Sequence, residues 1–155
     1  MSYKNENMKM IELHENGLDI QFRIRENGVV ELADFSSQEV KKAVMEPKED
    51  ICYPAVEIHR SGTGSLNMHA YKNNINQSSV DFVYENHELK AQAGGKELEI
   101  VMISPEKLKA VYHMRLFDGV PAVQTWTEII NEGSENQGLT YVSSFMYQGI
   151  SRGGE

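Results

Sequence analysis

The chain has 155 residues, 40% of them hydrophobic and 25% charged, which describes one ordinary globular domain rather than a disordered or fibrous chain. Its formal charge is −8, with 15 Lys and Arg against 23 Asp and Glu, and the longest basic element is Lys41-Lys42, so a nucleic-acid partner is not expected. The single cysteine, Cys52, excludes an internal disulfide framework, and with no run of about 18 apolar residues no membrane span is expected.

Met1 to Met10 is polar, has no apolar core of signal-peptide length, and is expected to be a poorly ordered lead-in. A cytoplasmic location follows as an expectation. From residue 11 to 155 one domain is expected. Leu18, Ile20, Phe22 and Ile24 alternate with Asp19, Gln21, Arg23 and Arg25, the period of two of a half-buried strand. Asn27-Gly28 follows, then the apolar run from Val29 to Phe35, which together predict a hairpin. Ser36 to Lys48 is the best helical candidate, with Glu39, Lys42 and Met45 and few breakers.

Pro54 to His59 reads as a strand that ends at Ser61-Gly62-Thr63-Gly64-Ser65. Val80 to Tyr84 and Glu85 to Ala93 read as strand segments closed by Gly94-Gly95, and Leu98 to Ile103 as another. The last third is the clearest. Leu108, Ala110, Tyr112, Met114 and Leu116 alternate with Lys109, Val111, His113 and Arg115, and Asp118-Gly119 supplies a turn. Val123 to Ile130 is rich in β-branched residues around Trp126 and stops at Asn131-Glu132-Gly133. A closing run sets Leu139, Tyr141, Ser143, Phe145 and Tyr147 on one face, with the aromatic residues expected in the core. The pattern predicts nine or ten strands, no helix of ten residues, and an all-β antiparallel sandwich.

Several of these segments resemble the amino-terminal β-sandwich domain of bacterial α-galactosidases of glycoside hydrolase family 36. The opening hairpin from Leu18 to Leu32, Val56-Glu57-Ile58 ahead of Gly62-Thr63-Gly64, and His69-Ala70-Tyr71-Lys72 are similar to family elements. So is Val83-Tyr84-Glu85-Asn86-His87 followed by Gly95-Lys96-Glu97-Leu98. The most specific segment is Leu108 to Gly149, with its Asp118 turn, its tryptophan strand ending in Ile130-Asn131-Glu132-Gly133, and Ser143-Ser144-Phe145. The likeness spans about residues 11 to 150. Ser65-Leu66-Asn67 departs from the acidic and basic pair that many members carry after the glycine loop.

The resemblance implies a truncated supersandwich of the galactose-mutarotase-like kind, acting on galactosides only through a parent enzyme. In the family the catalytic carboxylates lie in a downstream barrel, which alone needs about 200 to 250 residues. The chain is therefore expected to be inactive by itself, to need no cofactor, and to support oligomerisation and the active-site entrance.

The residues themselves point to no catalytic group. Among 23 acids some pairs will fall by chance at the 5 to 9.5 Å that glycoside hydrolysis needs, yet no segment gives one an apolar pocket. His14, His59, His69, His87 and His113 share no metal-ligand spacing, so no metal is expected. Cys52 has no nucleophile context and is expected to be buried beside Tyr53. Gly62-x-Gly64 has Asn67 where a dinucleotide fingerprint needs its third glycine, so it reads as a turn. Trp126, sharing a face with Gln124 and Glu128, is the one candidate for stacking on a sugar, against core packing or an interface. Two rivals remain. A free-standing carbohydrate-binding module needs an exposed aromatic platform, and an aldose-epimerase-like enzyme needs a histidine and a carboxylate converging in one cleft.

Overall fold

A computed structural model describes residues 9–37, 53–63 and 77–147. Within them the chain forms β1 (Lys9–Glu15), β2 (Leu18–Ile24), β3 (Val30–Ser37), β4 (Ile58–Arg60), α1 (Gln77–Val80), β5 (Val83–Gln92), β6 (Gly95–Ile103), β7 (Leu108–Phe117), β8 (Val120–Asn131) and β9 (Leu139–Val142). Every strand pair is antiparallel, in sheets ordered β1-β2-β3, β4-β9 and β5-β6-β7-β8. This is the expected all-β antiparallel sandwich. The Ser36 to Lys48 expectation meets β3 at Ser36 and Ser37, and its remainder lies outside the described residues.

The period of two decides which residues face inward. Ile20 and Phe22 of β2, Leu98 and Ile100 of β6, and Ala110, Tyr112 and Met114 of β7 are fully buried in one shared core. Phe22 meets Tyr112 edge-to-face at 5.7 Å, which joins the three-stranded sheet to the four-stranded one. Burial pushes the Tyr112 phenol well above its ordinary pKa, with a hydrogen bond to Thr125 acting the other way.

The turns carry the second half of the specification. Asn16 and Gly17 both have positive φ, 52° and 84°, giving the tight β1–β2 hairpin. The Asn16 side chain then donates to Phe117 O at 2.8 Å and accepts from Gly119 N at 2.9 Å, clipping this hairpin to the β7–β8 turn. Asn27-Gly28 does lie between β2 and β3, but in a longer loop closed by Arg25 N to Val29 O at 2.9 Å. Only Gly28 of the two has positive φ, and a Cβ there would lie 2.9 Å from Val83 Cβ. Its carbonyl accepts from Tyr84 N at 2.8 Å, so the loop docks on the start of β5.

Four expectations change in detail. β1 begins at Lys9, inside the stretch read as lead-in, and was not foreseen as a strand. The Pro54 to His59 strand contracts to Ile58–Arg60, and Val80 ends α1 instead of beginning a strand. The α1 hydroxyls replace a strand partner there: Ser79 Oγ accepts from Ile58 N at 2.9 Å and Ser78 Oγ from Arg60 N at 3.2 Å.

The fourth change concerns the closing run, whose strand stops at Val142. Leu139, Tyr141 and Phe145 are 41%, 49% and 41% exposed, so they are not core. Val142 and buried Ser143 face inward instead. Ser143 N donates to Glu57 O, and Ser143 Oγ accepts from Glu57 N, both at 2.8 Å, which pins the end of β9 ahead of β4. Beyond it Phe145 and Tyr147 pack on Phe35, with ring centroids 5.5 and 6.5 Å away.

Candidate functional site

The outer face of the four-stranded sheet collects side chains of an unusual kind for a surface. Register brings Glu97 opposite Arg115, Glu99 opposite His113 and His113 opposite Trp126, all on the face away from the core. Glu97 and His113 are only 6% and 7% exposed although no further strand covers them among the described residues. Their shelter is their neighbours. Trp126 lies flat against the His113 ring, with centroids 4.6 Å apart and planes 4° apart. β8 has β7 as its one strand neighbour among the described residues, and Trp126 is half-buried.

His113 Nδ1 lies 2.9 Å from Glu97 Oε1 and 3.9 Å from Glu99 Oε1. The second oxygen of each carboxylate is held elsewhere: Gln92 Nε2 donates to Glu97 Oε2 at 2.6 Å, and Lys90 Nζ to Glu99 Oε2 at 2.5 Å. That contact is the first cause of the raised Lys90 pKa. On the far side of the ring, His113 Nε2 is buried, has no hydrogen-bond partner among the described residues, and sits 3.8 Å from Glu128 Oε1. Glu97, Glu99 and His113 are the one group of three potential metal ligands among the described residues, their ligand atoms all within 4.8 Å of one another.

The other histidines, Cys52 and the glycine loop, from which no site is expected, do not join this group among the described residues. His14 pairs with Asp19 at 2.6 Å and His59 with Glu57 at 2.9 Å, both by ordinary local contacts. His87 Nδ1 meets Tyr84 Oη at 2.8 Å, and burial, then the nearby Lys9 charge, lower its pKa. Cys52, Gly64, Asn67 and His69 lie outside the described residues. Gly62 sits in a turn where Thr63 Oγ1 donates to Arg60 O at 2.7 Å.

Glu31, Asp81 and Glu106 have cationic partners rather than apolar pockets. Glu31 accepts from Arg23 Nε and Arg25 Nη1, each at 3.1 Å, and from Tyr53 N at 2.9 Å. Arg60 binds Asp81 at 2.8 Å and Glu106 at 2.5 Å. Desolvation works against the charged form of Glu106, but hydrogen bonds from Arg60, its own backbone and Ser104 hold its carboxyl below the ordinary value. These are ion pairs of a structural kind, unlike the raised carboxylic acid that glycoside hydrolysis requires.

Sequence reading placed Trp126 correctly, on a partly exposed face with Gln124 and Glu128. It missed the group around His113 because its ligands come from different strands. Sixteen residues separate Glu97 from His113, and only the β6–β7 register brings them together. No family model and no curated protein matches this chain.

Proposed function

We propose that this domain is the non-catalytic amino-terminal β-sandwich of an α-galactosidase-like glycoside hydrolase, packing on a catalytic barrel outside this chain. In that role it supports the oligomer and borders the active-site entrance, and it meets galactosides only through the parent enzyme, in the cytoplasm. The observation that carries the reading is the segment from Leu108 to Gly149. Its sequence resembles the family's most specific stretch, and each resembling feature has a structural task. Asp118-Gly119 turns β7 into β8, and Asn131 stops β8 by accepting from Gly133 N at 3.0 Å. Ser143 then fastens the closing run. Supporting it are the antiparallel sandwich architecture and buried carboxylates that carry ion-pair partners instead of an acid's apolar pocket. The test is the natural reading frame past Glu155. A barrel-length continuation with a carboxylate pair agrees with the proposal, whereas a stop codon or an unrelated fold there contradicts it.

A second reading, a free-standing carbohydrate-binding module, is favoured by one observation: a half-buried Trp126 between exposed Gln124 and Glu128, on a strand with one neighbour among the described residues. Trp126 is the only tryptophan, so titrating its fluorescence with galactose and raffinose isolates this site. A saturable change supports the module, and a flat titration supports the enzyme domain.

A further inference from the structure

We propose that the outer face of the four-stranded sheet binds a first-row divalent cation such as Zn2+, ligated by His113 Nδ1 and by one oxygen each of Glu97 and Glu99. One imidazole nitrogen with two carboxylate oxygens is a donor set suited to Zn2+, Mn2+ or Co2+. The carboxylates already present it. Gln92 and Lys90 occupy the Oε2 atoms of Glu97 and Glu99, which leaves both Oε1 atoms converging on Nδ1 at 2.9 and 3.9 Å. Ligand atoms about 2.1 Å from an ion sit roughly 3.0 to 3.4 Å apart, and here they lie within 4.8 Å of one another, so side-chain movements on the order of an ångström complete the set. Such oriented carboxylates are the usual surroundings of a metal ligand.

The independent sign is the orphaned Nε2 of His113, whose side chain is 9% exposed. A neutral imidazole carries a single ring proton. With that proton on Nδ1 and donated to Glu97, Nε2 is a buried lone pair aimed at a Glu128 oxygen 3.8 Å away. With it on Nε2, the bare Nδ1 faces two carboxylate oxygens. A ring protonated at both nitrogens still leaves Nε2–H without an acceptor as the side chains stand. While a ring protonated at both nitrogens needs the same approach by Glu128 that the cation-bound ring needs, a cation on Nδ1 removes the first two conflicts. The proton then belongs on Nε2, and Glu128, whose side chain is 56% exposed, closes by about 1 Å to accept it. Three carboxylates surround the ring, while on the same face Lys90 contacts Glu99 and Arg115 stands opposite Glu97, so acids outnumber bases around His113 among the described residues. Trp126 covers one face of the imidazole, which limits the access of water.

Trp126 also supplies the readout. Paramagnetic Co2+ bound at Nδ1 would sit within a few ångströms of the indole and quench the only tryptophan. The experiment titrates the purified 155-residue chain with Co2+, in a Cys52→Ser background that removes thiol binding, with calorimetry using Zn2+ alongside. The expected result is saturable quenching and one equivalent of Zn2+. Affinity should fall at least tenfold in Glu99→Gln and His113→Ala, and about tenfold in Glu128→Gln. Glu99→Gln is isosteric and partly exposed, so it decides the matter even where His113→Ala unfolds. Absence of saturable quenching, or quenching unchanged in Glu99→Gln, overturns the proposal.

Discussion

The two faces of strands β6 and β7 are built on opposite principles. Inward, Leu98, Ile100, Ala110, Tyr112 and Met114 are buried by the facing sheet and make a dry apolar layer. Outward, Glu97 and His113 are nearly as buried, but under Trp126, Lys90 and Gln92. Equal burial thus has unequal consequences. Removing apolar surface from water stabilises by about 25 cal/mol per Å², whereas desolvating a charged group costs free energy that its partner only partly offsets. The inner face explains why the chain folds. The outer face instead holds buried polar groups close to one another, which marks it as the place to look for binding.

The comparison breaks first at the core. Phe22→Ala empties the centre of the sheet-to-sheet contact and should cost about 3–5 kcal/mol, read by urea unfolding. A cost under about 1 kcal/mol would mean that the two sheets do not share one core.

The outer face should respond differently to single and paired changes. Glu97→Leu alone strands His113 and should destabilise by roughly 1–3 kcal/mol. The double variant Glu97→Leu with His113→Leu should recover most of that loss, because replacing both partners of a buried hydrogen bond by apolar groups can be nearly neutral. A double variant worse than either single one would show that the pair is there for stability.

Gly28→Ala combines a positive φ with a Cβ that meets Val83, so a loss of about 1–2 kcal/mol is expected. The smallest effect is electrostatic. Because the folded pKa of Glu106 is lowered, its contribution is present above the ordinary value of 4.5 and lost as pH falls through the folded value. Glu106→Gln should therefore flatten the fall in melting temperature as pH drops below 4.5, and an unchanged slope would refute that assignment.

How far the sequence reached follows the same division. The alternation in β2 and β7 was legible because apolar residues facing the core alternate with polar or charged ones along each strand. β1 escaped notice although Ile11 and Leu13 alternate with Glu12 and His14, since only those two positions are buried. The closing run misled because its exposed aromatics also alternate: Tyr141 packs on His59 at 5.0 Å at the surface while Val142 turns inward. Trp126 was placed by its own neighbours along the strand. The His113 group was not, because strand register across β5 to β8 is written in no local spacing.

The most direct measurement of the account is nitrophenol release from an aryl α-galactoside by the product of the whole natural reading frame, by residues 1–155 alone, and by the remainder alone. The account predicts turnover by the whole product, none by the 155-residue chain, and a marked loss in the remainder without its sandwich. Turnover by residues 1–155 that a single Asp or Glu substitution abolishes would contradict it, as would a remainder as active as the whole.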